Sequence, residues 1–334
     1  GIGQHAGTGM GMVASDYDRD GDTDVFVCND IRRNFFFQND GTGAFEEVGL
    51  LTGAAYNYCG VENASMGVDC GDYNNDGWLD FFMTNYQGEF PVLYENTGSG
   101  FLDDVTRRAG AGVGAFQHVN WGNGLVDFDN DGDRDLFIAC GHLQDNIDLR
   151  DDSTSYLARN VLLANDGRGK FVDVSDRSGD GLAVKLSSRG AAFDDLDNDG
   201  DVDVVVLNSR RQPTLLENVT KSKNHWIQIR LRGVKTNRDG VGARVEVIAG
   251  DSTQVDEVHS GRSYQSHYGM RLHFGLAEHD RVDRLEVRWI GGGMDVIENV
   301  AGSDPRAAGS KVVVAVRVEP AEIVAGAWPL PSHA

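Results

Sequence analysis

The chain has 334 residues, 52 of them acidic against 30 basic, and a formal net charge of −22. That balance argues against nucleic acid as a partner, because phosphate backbones reward basic patches. No apolar run approaches the roughly 18 residues of a transmembrane segment, and 43 glycines against six prolines point to a folded chain with many tight turns.

Residues 1–30 show no basic stretch leading into an apolar one, so no export signal is visible in them. Gly1 falls in the middle of a repeat, which reads as an N-terminally truncated chain. The first predicted strand is rich in small residues, carries Gly11, and runs into an acidic stretch, Asp16 to Asp24. The frame D-x-[DN]-x-D-G-x-x-D recurs three more times, as Asp72 to Asp80, Asp127 to Asp135 and Asp195 to Asp203.

Positions 1, 3, 5 and 9 of this frame carry oxygen side chains. They are Asp16, Asp18, Asp20 and Asp24 in the first copy and Asp72, Asn74, Asp76 and Asp80 in the second. The third has Asp127, Asp129, Asp131 and Asp135, and the fourth Asp195, Asp197, Asp199 and Asp203. Position 7 (Asp22, Trp78, Asp133, Asp201) is expected to add its backbone carbonyl. Together they offer Ca²⁺ the six to eight oxygens that it takes at about 2.3–2.6 Å, so up to four ions are expected. Glycine at position 6 (Gly21, Gly77, Gly132, Gly200) suits the left-handed turn needed to wrap an ion. The four copies hold five, three, five and five acidic residues, and four bound Ca²⁺ would bring the net charge to about −14.

An EF-hand begins the same way but ends in a bidentate Glu at position 12 between two helices. Here position 12 is Val27, Met83, Ile138 or Val206, inside apolar β-branched and aromatic runs, so the loops are expected between two strands. A single Asp-Gly cluster would pass for an ordinary surface turn. Four copies in one frame, each followed by strand material, read as metal loops.

The copies start 56, 55 and 68 residues apart, in the range of propeller blades. Each is preceded by a glycine five positions upstream (Gly11, Gly67, Gly122, Gly190) and followed by an apolar strand. A third strand then ends in Asn39, Asn96, Asn165 or Asn218. In the first three units a Gly-rich hairpin leads to a fourth strand, giving the four antiparallel strands of a blade. The fourth unit lacks that strand, and the third is lengthened by a polar insertion, Gly141 to Arg159, read as a solvated loop. Cys28, Cys59, Cys70 and Cys140 form no C-x-x-C pair and are expected as buried free thiols.

Near Asn218 the composition changes, and from Trp226 the segments alternate with period two, as in a small β-sandwich with one wet face per sheet. A last strand is expected at Lys311 to Arg317 and a loose tail at 319–334. The division is therefore 1–220 for four repeats, 221–318 for a second β domain, and 319–334 for the tail.

With both halves in view, the chain resembles the FG-GAP/VCBS-repeat proteins that carry a C-terminal ASPIC/UnbV domain, the cartilage acidic protein-like family. In the second half the resemblance rests on Asn224 to Trp226, Asn237 to Val245, Gly261 with Tyr264 to Ser266, His273 to Leu276 and Val287 to Trp289. Where that family has a Pro-Ser-Gly turn, this chain has Ile290 to Gly293. The resemblance implies an integrin-α-like propeller, normally of seven blades, with calcium in loops at its rim. Four repeats are too few for that closed ring, so residues 1–220 are not expected to close alone.

No G-x-S-x-G, H-E-x-x-H, C-x-x-C or P-loop is present, and no catalytic residue is expected. His259, His267, His273 and His279 lack a short ligand spacing and read as surface or packed histidines. Asn63 and Asn218 begin sequons that carry little weight in a single sequence. The reading is a non-catalytic, calcium-binding scaffold for adhesion or binding, with a protein or glycan partner. Calcium places it outside the cell, in the periplasm or on the cell surface. The alternative is an accessory or enzyme component of a biosynthetic pathway.

Overall fold

The computed structural model describes residues 1–303, 313–315 and 324–325. The repeats fold as successive antiparallel meanders. The first sheet holds β1 (Gly9–Ser15), β2 (Asp24–Asn29), β3 (Phe35–Asn39) and β4 (Phe45–Glu47). The second holds β5 (Val68–Gly71), β6 (Asp80–Met83), β7 (Val92–Asn96) and β8 (Leu102–Asp104). The third holds β9 (Asn120–Val126), β10 (Asp135–Cys140), β11 (Val161–Asn165) and β12 (Phe171–Asp173). The fourth has three strands, β13 (Ser188–Asp194), β14 (Asp203–Asn208) and β15 (Thr214–Leu216), as the missing fourth segment implied.

The second strands of the two internal blades, β6 and β10, are buried on both faces between neighbouring blades, whereas β2 and β14 of the end blades keep one face partly exposed. Phe81 of β6 packs with Phe26, Phe36 and Tyr94 on the side of the first blade. Its neighbour Phe82 points the other way, to Leu125, Leu136 and Leu163 of the third. Three of the four upstream glycines lie on or beside inner strands where adjacent blades nearly touch, and the fourth, Gly190, abuts Tyr264 and Ser266 of the C-terminal domain. A Cβ on Gly11 would sit 2.3 Å from Met66 O, one on Gly67 2.4 Å from Trp121 O, and one on Gly122 2.6 Å from Ala191 N.

The C-terminal domain has two four-stranded sheets around one core of Ile227, Ile229, Val245, Val247, Phe274, Leu285 and Val287. One sheet runs in the order β18 (Ser252–Glu257), β17 (Arg244–Ala249), β20 (Arg281–Arg288), β21 (Met294–Ala301). The other runs β19 (Leu272–Ala277), β16 (His225–Ile229), β22 (Val313–Ala315), β23 (Val324–Ala325). The rest of the expected last strand and of the 319–334 tail lies outside the described residues, and the part of that tail that is described, β23, pairs with β22 instead of hanging loose. A second expectation is corrected at β18. Gln254 to Glu257 are all buried, because the face predicted to be wet packs against the propeller. The thiols need a correction too: all four cysteines are free, but Cys59 is exposed while the other three are buried.

The domains interlock. Residues 259–268 run along the inner strands, where Ser263 exchanges backbone hydrogen bonds with Val68 and its Oγ accepts from Asn123 N at 2.8 Å. Buried Arg262 pairs with buried Asp69 at 3.0 Å, and Tyr268 Oη donates to Asp69 Oδ2 at 2.6 Å. Arg134 pairs with Asp256 at 2.9 Å. The two ends of the blade arc are both held by this domain. At the first blade Ser15 Oγ and Asp16 N donate to Glu257, and at the fourth Arg271 Nε donates to Asp194 and Gln228 Nε2 to Asp195. Met10 and Met12 of β1 are exposed, whereas β9 is buried along its whole length, as befits a terminal and an internal inner strand.

Candidate metal loops

All four acidic stretches join the first strand of a blade to its second. Each hairpin closes on the same pair, the residue before position 1 facing position 9: Ser15 with Asp24, Gly71 with Asp80, Val126 with Asp135, Asp194 with Asp203. Gly21, Gly77, Gly132 and Gly200 have φ of 98°, 86°, 93° and 101°. These are angles that a Cβ would strain.

Backbone amides orient the carboxylates in one repeated pattern. The position 3 side chain accepts from the N–H of position 5, and position 5 accepts from position 7, at 2.8–3.3 Å in every loop. Position 1 accepts from the glycine N–H in the first three loops, at 3.1, 2.8 and 2.9 Å. In the fourth, Asp195 Oδ2 accepts from Gln228 Nε2 at 2.8 Å. Asp72 differs from the other position 1 residues of the first three loops in placing both oxygens on the backbone, its Oδ1 accepting from Asp76 N at 3.1 Å.

Position 9 is built differently. Oδ2 of Asp24, Asp80, Asp135 and Asp203 accepts from the N–H of position 2, and Oδ1 from the N–H of Asn39, Asn96, Asn165 or Asn218. Those asparagines continue the chain of contacts. Asn96, Asn165 and Asn218 each donate from Nδ2 to the position 2 carbonyl of the preceding loop: Tyr17, Tyr73 and Phe128, at 2.8, 2.9 and 2.7 Å. Position 4 reaches the other way. Arg19, Asn75, Asn130 and Asn198 all sit at left-handed φ, and the first three donate to the carbonyl of the next loop's glycine. Their role was not evident from sequence, although the repeated Asn at one offset, a residue tolerant of that angle, was the available signal.

Ligand oxygens within 4.8 Å of one another come together in three of the loops: Asp16, Asp18 and Asp24; Asp127, Asp129 and Asp131; Asp195, Asp197 and Asp199. Asp72, Asn74, Asp76 and Asp80 of the second loop form no such carboxylate group. Asp20, Asp135 and Asp203 lie outside the three groups, and among the position 7 side chains Asp133 and Asp201 accept from the preceding Asn75 and Asn130. Trp78 instead packs under Arg19, whose guanidinium is 3.6 Å from the ring centroid.

The clusters concentrate negative charge in partly buried surroundings. Burial, and then the charges of Asp18 and Asp20, push Asp16 up to about 6. Burial with neighbouring carboxylates takes Asp72 and Asp131 to about 6 and Asp201 to about 7. Asp24 and Asp135 rise to about 8, mainly through burial, and Asp80 and Asp127 rise well above the ordinary range for the same reason. Asp16 Oδ1 and Asp127 Oδ1 are buried and accept no hydrogen bond from the described residues. Buried like charges with unfilled lone pairs are costly alone and favourable around a divalent ion. The donor set is all oxygen, which suits a hard cation.

The histidines do not assemble into a site. His259 donates from Nδ1 to Ala14 O at 3.0 Å and lies 3.2 Å from Cys70 Sγ, while His273 bonds Asn130 Oδ1 at 2.6 Å.

Blades with acidic inter-strand loops, joined to a β-sandwich that bridges the arc, define a repeat protein of the propeller class. The chain belongs to the FG-GAP-like repeat family, matched at residues 16–83, 72–138 and 127–206, which together span more than half of it. Residues 233–313 match the ASPIC and UnbV family. A search of curated proteins finds none that matches. Among solved structures, the chain is 16% identical to a lectin of Agrocybe aegerita described for recognition of non-reducing terminal N-acetylglucosamine, with a TM-score of 0.33. That alignment covers 62% of this chain and 51% of the other, so the chain spans about half of that structure's length. It is 10% identical to the lectin BP39L of Burkholderia pseudomallei, with a TM-score of 0.35, covering 92% of this chain and 89% of the other. No helix among the described residues is long and apolar enough to cross a membrane.

Proposed function

We propose that the protein is a non-catalytic, calcium-stabilised scaffold that works outside the cytosol, its blades presenting a binding face to a protein or glycan partner. The observation that carries this is the repeated acidic loop, in which three independent trios of carboxylate oxygens lie within 4.8 Å. Ca²⁺ supplies positive charge that offsets buried carboxylate repulsion and ties the first two strands of a blade together. The loops interact with their neighbours through the position 4 and strand-ending side chains, so ordering one loop supports the next. An ion held with a dissociation constant of about 10 μM at about 1 mM calcium stabilises the fold by roughly 2.7 kcal/mol. Three or four such ions rival the stability of a whole domain.

The test is thermal unfolding with and without chelator, combined with calcium titration calorimetry. Melting should fall sharply on chelation and recover with Ca²⁺. The second loop should empty first as calcium is lowered, because Asn74 and Trp78 leave it fewer charges. A melting temperature indifferent to chelator would refute the proposal.

A further inference from the structure

In an antiparallel meander, the acidic loops lie at one end of the strands and the connections from strand two to three, and from each blade to the next, lie at the other. At that other end, on the second blade, three connections enclose a cleft of about 390 Å³, of the size small ligands occupy. They are the 53–67 connection before β5, the 84–91 connection between β6 and β7, and the 105–119 connection after β8. Tyr58, Val61, Phe90 and Phe116 line the cleft and remain 51%, 55%, 37% and 41% exposed, large apolar groups with faces open to solvent.

The walls are fixed from behind. Asp104 accepts from Tyr58 N at 2.9 Å, Glu89 accepts from Ala64 N at 2.9 Å, and Phe116 O accepts from Gly88 N at 2.8 Å. Phe90 and Phe116 pack with centroids 4.6 Å apart. Arg107 lies over the Tyr58 ring at 4.3 Å, and no carboxylate among the described residues forms an ion pair with it. Glu62 and Glu89 each place one oxygen on a protein donor, which leaves the other oxygen for a ligand.

Charge and polarity narrow the occupant. Three carboxylates (Glu62, Glu89, Asp104) against one guanidinium disfavour an anion. A cation would compete with Arg107, whose guanidinium already lies over the Tyr58 and Phe90 rings at 4.3 and 5.8 Å. An apolar peptide side chain would offer no donor to the second oxygens of Glu62 and Glu89. A neutral pyranose suits all of them. Its C–H face covers an aromatic ring, and its hydroxyls donate to carboxylates and accept from Arg107.

We infer that this cleft binds the terminal sugar of a neutral glycan; the inference deepens the scaffold reading by giving it a ligand class. The test is saturation-transfer NMR on the full chain at saturating calcium, with neutral hexose and N-acetylhexosamine methyl glycosides as probes. Methyl glucuronide, tetramethylammonium and a hydrophobic hexapeptide serve as counter-probes. Transfer to a neutral glycoside is expected, weakened at least about tenfold in Tyr58→Ala and in Val61→Arg, two exposed positions whose variants should melt like the parent. Transfer to the counter-probes alone, to no neutral glycoside, or undiminished in both variants overturns the inference. Calcium-dependent melting without sugar binding refutes the cleft alone, and sugar binding without calcium-dependent melting refutes the calcium reading alone.

Discussion

At the residue scale, two substitutions within the repeat explain each other. In the third and fourth loops the position 7 acids Asp133 and Asp201 accept from Asn75 and Asn130, each at position 4 of the loop before. The second loop has Trp78 at position 7, and the first loop has Arg19 at position 4, so a cation on an aromatic ring replaces an amide on a carboxylate. Arg19→Asn or Trp78→Asp alone should cost about 0.5–2 kcal/mol. The double variant should recover most of that loss, and a thermodynamic cycle from denaturant unfolding measures the coupling. A second prediction concerns His259, which burial, reinforced by Arg262, pushes down to about 3. The unfolded chain binds that proton near pH 6.5 and the folded chain does not. Its contribution to stability is therefore full above pH 6.5 and is lost as pH falls toward 3. In saturating calcium the melting temperature of the parent should drop more steeply over that window than that of His259→Gln; parallel curves would sink the idea. Trp78 read in sequence as a backbone carbonyl and a missing acid, because the partner that gives its side chain meaning belongs to another repeat, 59 residues away in Arg19.

At the scale of the element, the strands were largely legible and the reasons for some of their residues were not. The aligned third strands appear as β3, β7, β11 and β15, since each combines an apolar run with a turn-forming neighbour that sequence displays directly. The glycine five residues before each loop was visible as a repeat, but its cause is the approach of a neighbouring blade at Gly11, Gly67 and Gly122 and of the C-terminal domain at Gly190, which no local pattern encodes. Gly67→Ala should therefore destabilise by several kcal/mol, because the new methyl meets Trp121 O at 2.4 Å on a backbone that cannot yield without parting two blades. Gly9→Ala is the control: its nearest neighbour would be Val27 Cγ1 at 3.5 Å, an ordinary contact. Equal melting of the two variants would show that the inner strands are not closely packed. The wet face expected of β18 failed for a related reason. Polar Gln254, Asp256 and Glu257 signal solvent in a lone sandwich; here Asp256 and Glu257 meet polar groups of the propeller and Gln254 donates to Gly275 O of β19.

For the whole molecule, the strands before and after residue 220 form separate sheets that are nonetheless tied to one another. The C-terminal domain contributes the segment that lines the inner strands, and its bonds reach all four blades: Ala14 and Asp16, Val68 and Asp69, Asn123 and Arg134, Asp194 and Asp195. Two domains tied by buried ion pairs should unfold together, because opening either strands charges that water no longer solvates. Calorimetry should accordingly give one transition, and hydrogen exchange should show β10 and β17 opening with the same free energy. Asp69→Asn tests the tie directly. It leaves Arg262 buried beside a neutral amide while preserving shape, and breaking a buried pair in this way costs about 3–5 kcal/mol. Part of that loss should fall on the coupling, so the variant should melt in two steps with the C-terminal sandwich, held by its own core around Ile227 and Leu285, as one of them. Two transitions already present in the parent chain would show that the domains fold independently and that the Arg262 to Asp69 contact is incidental to their stability.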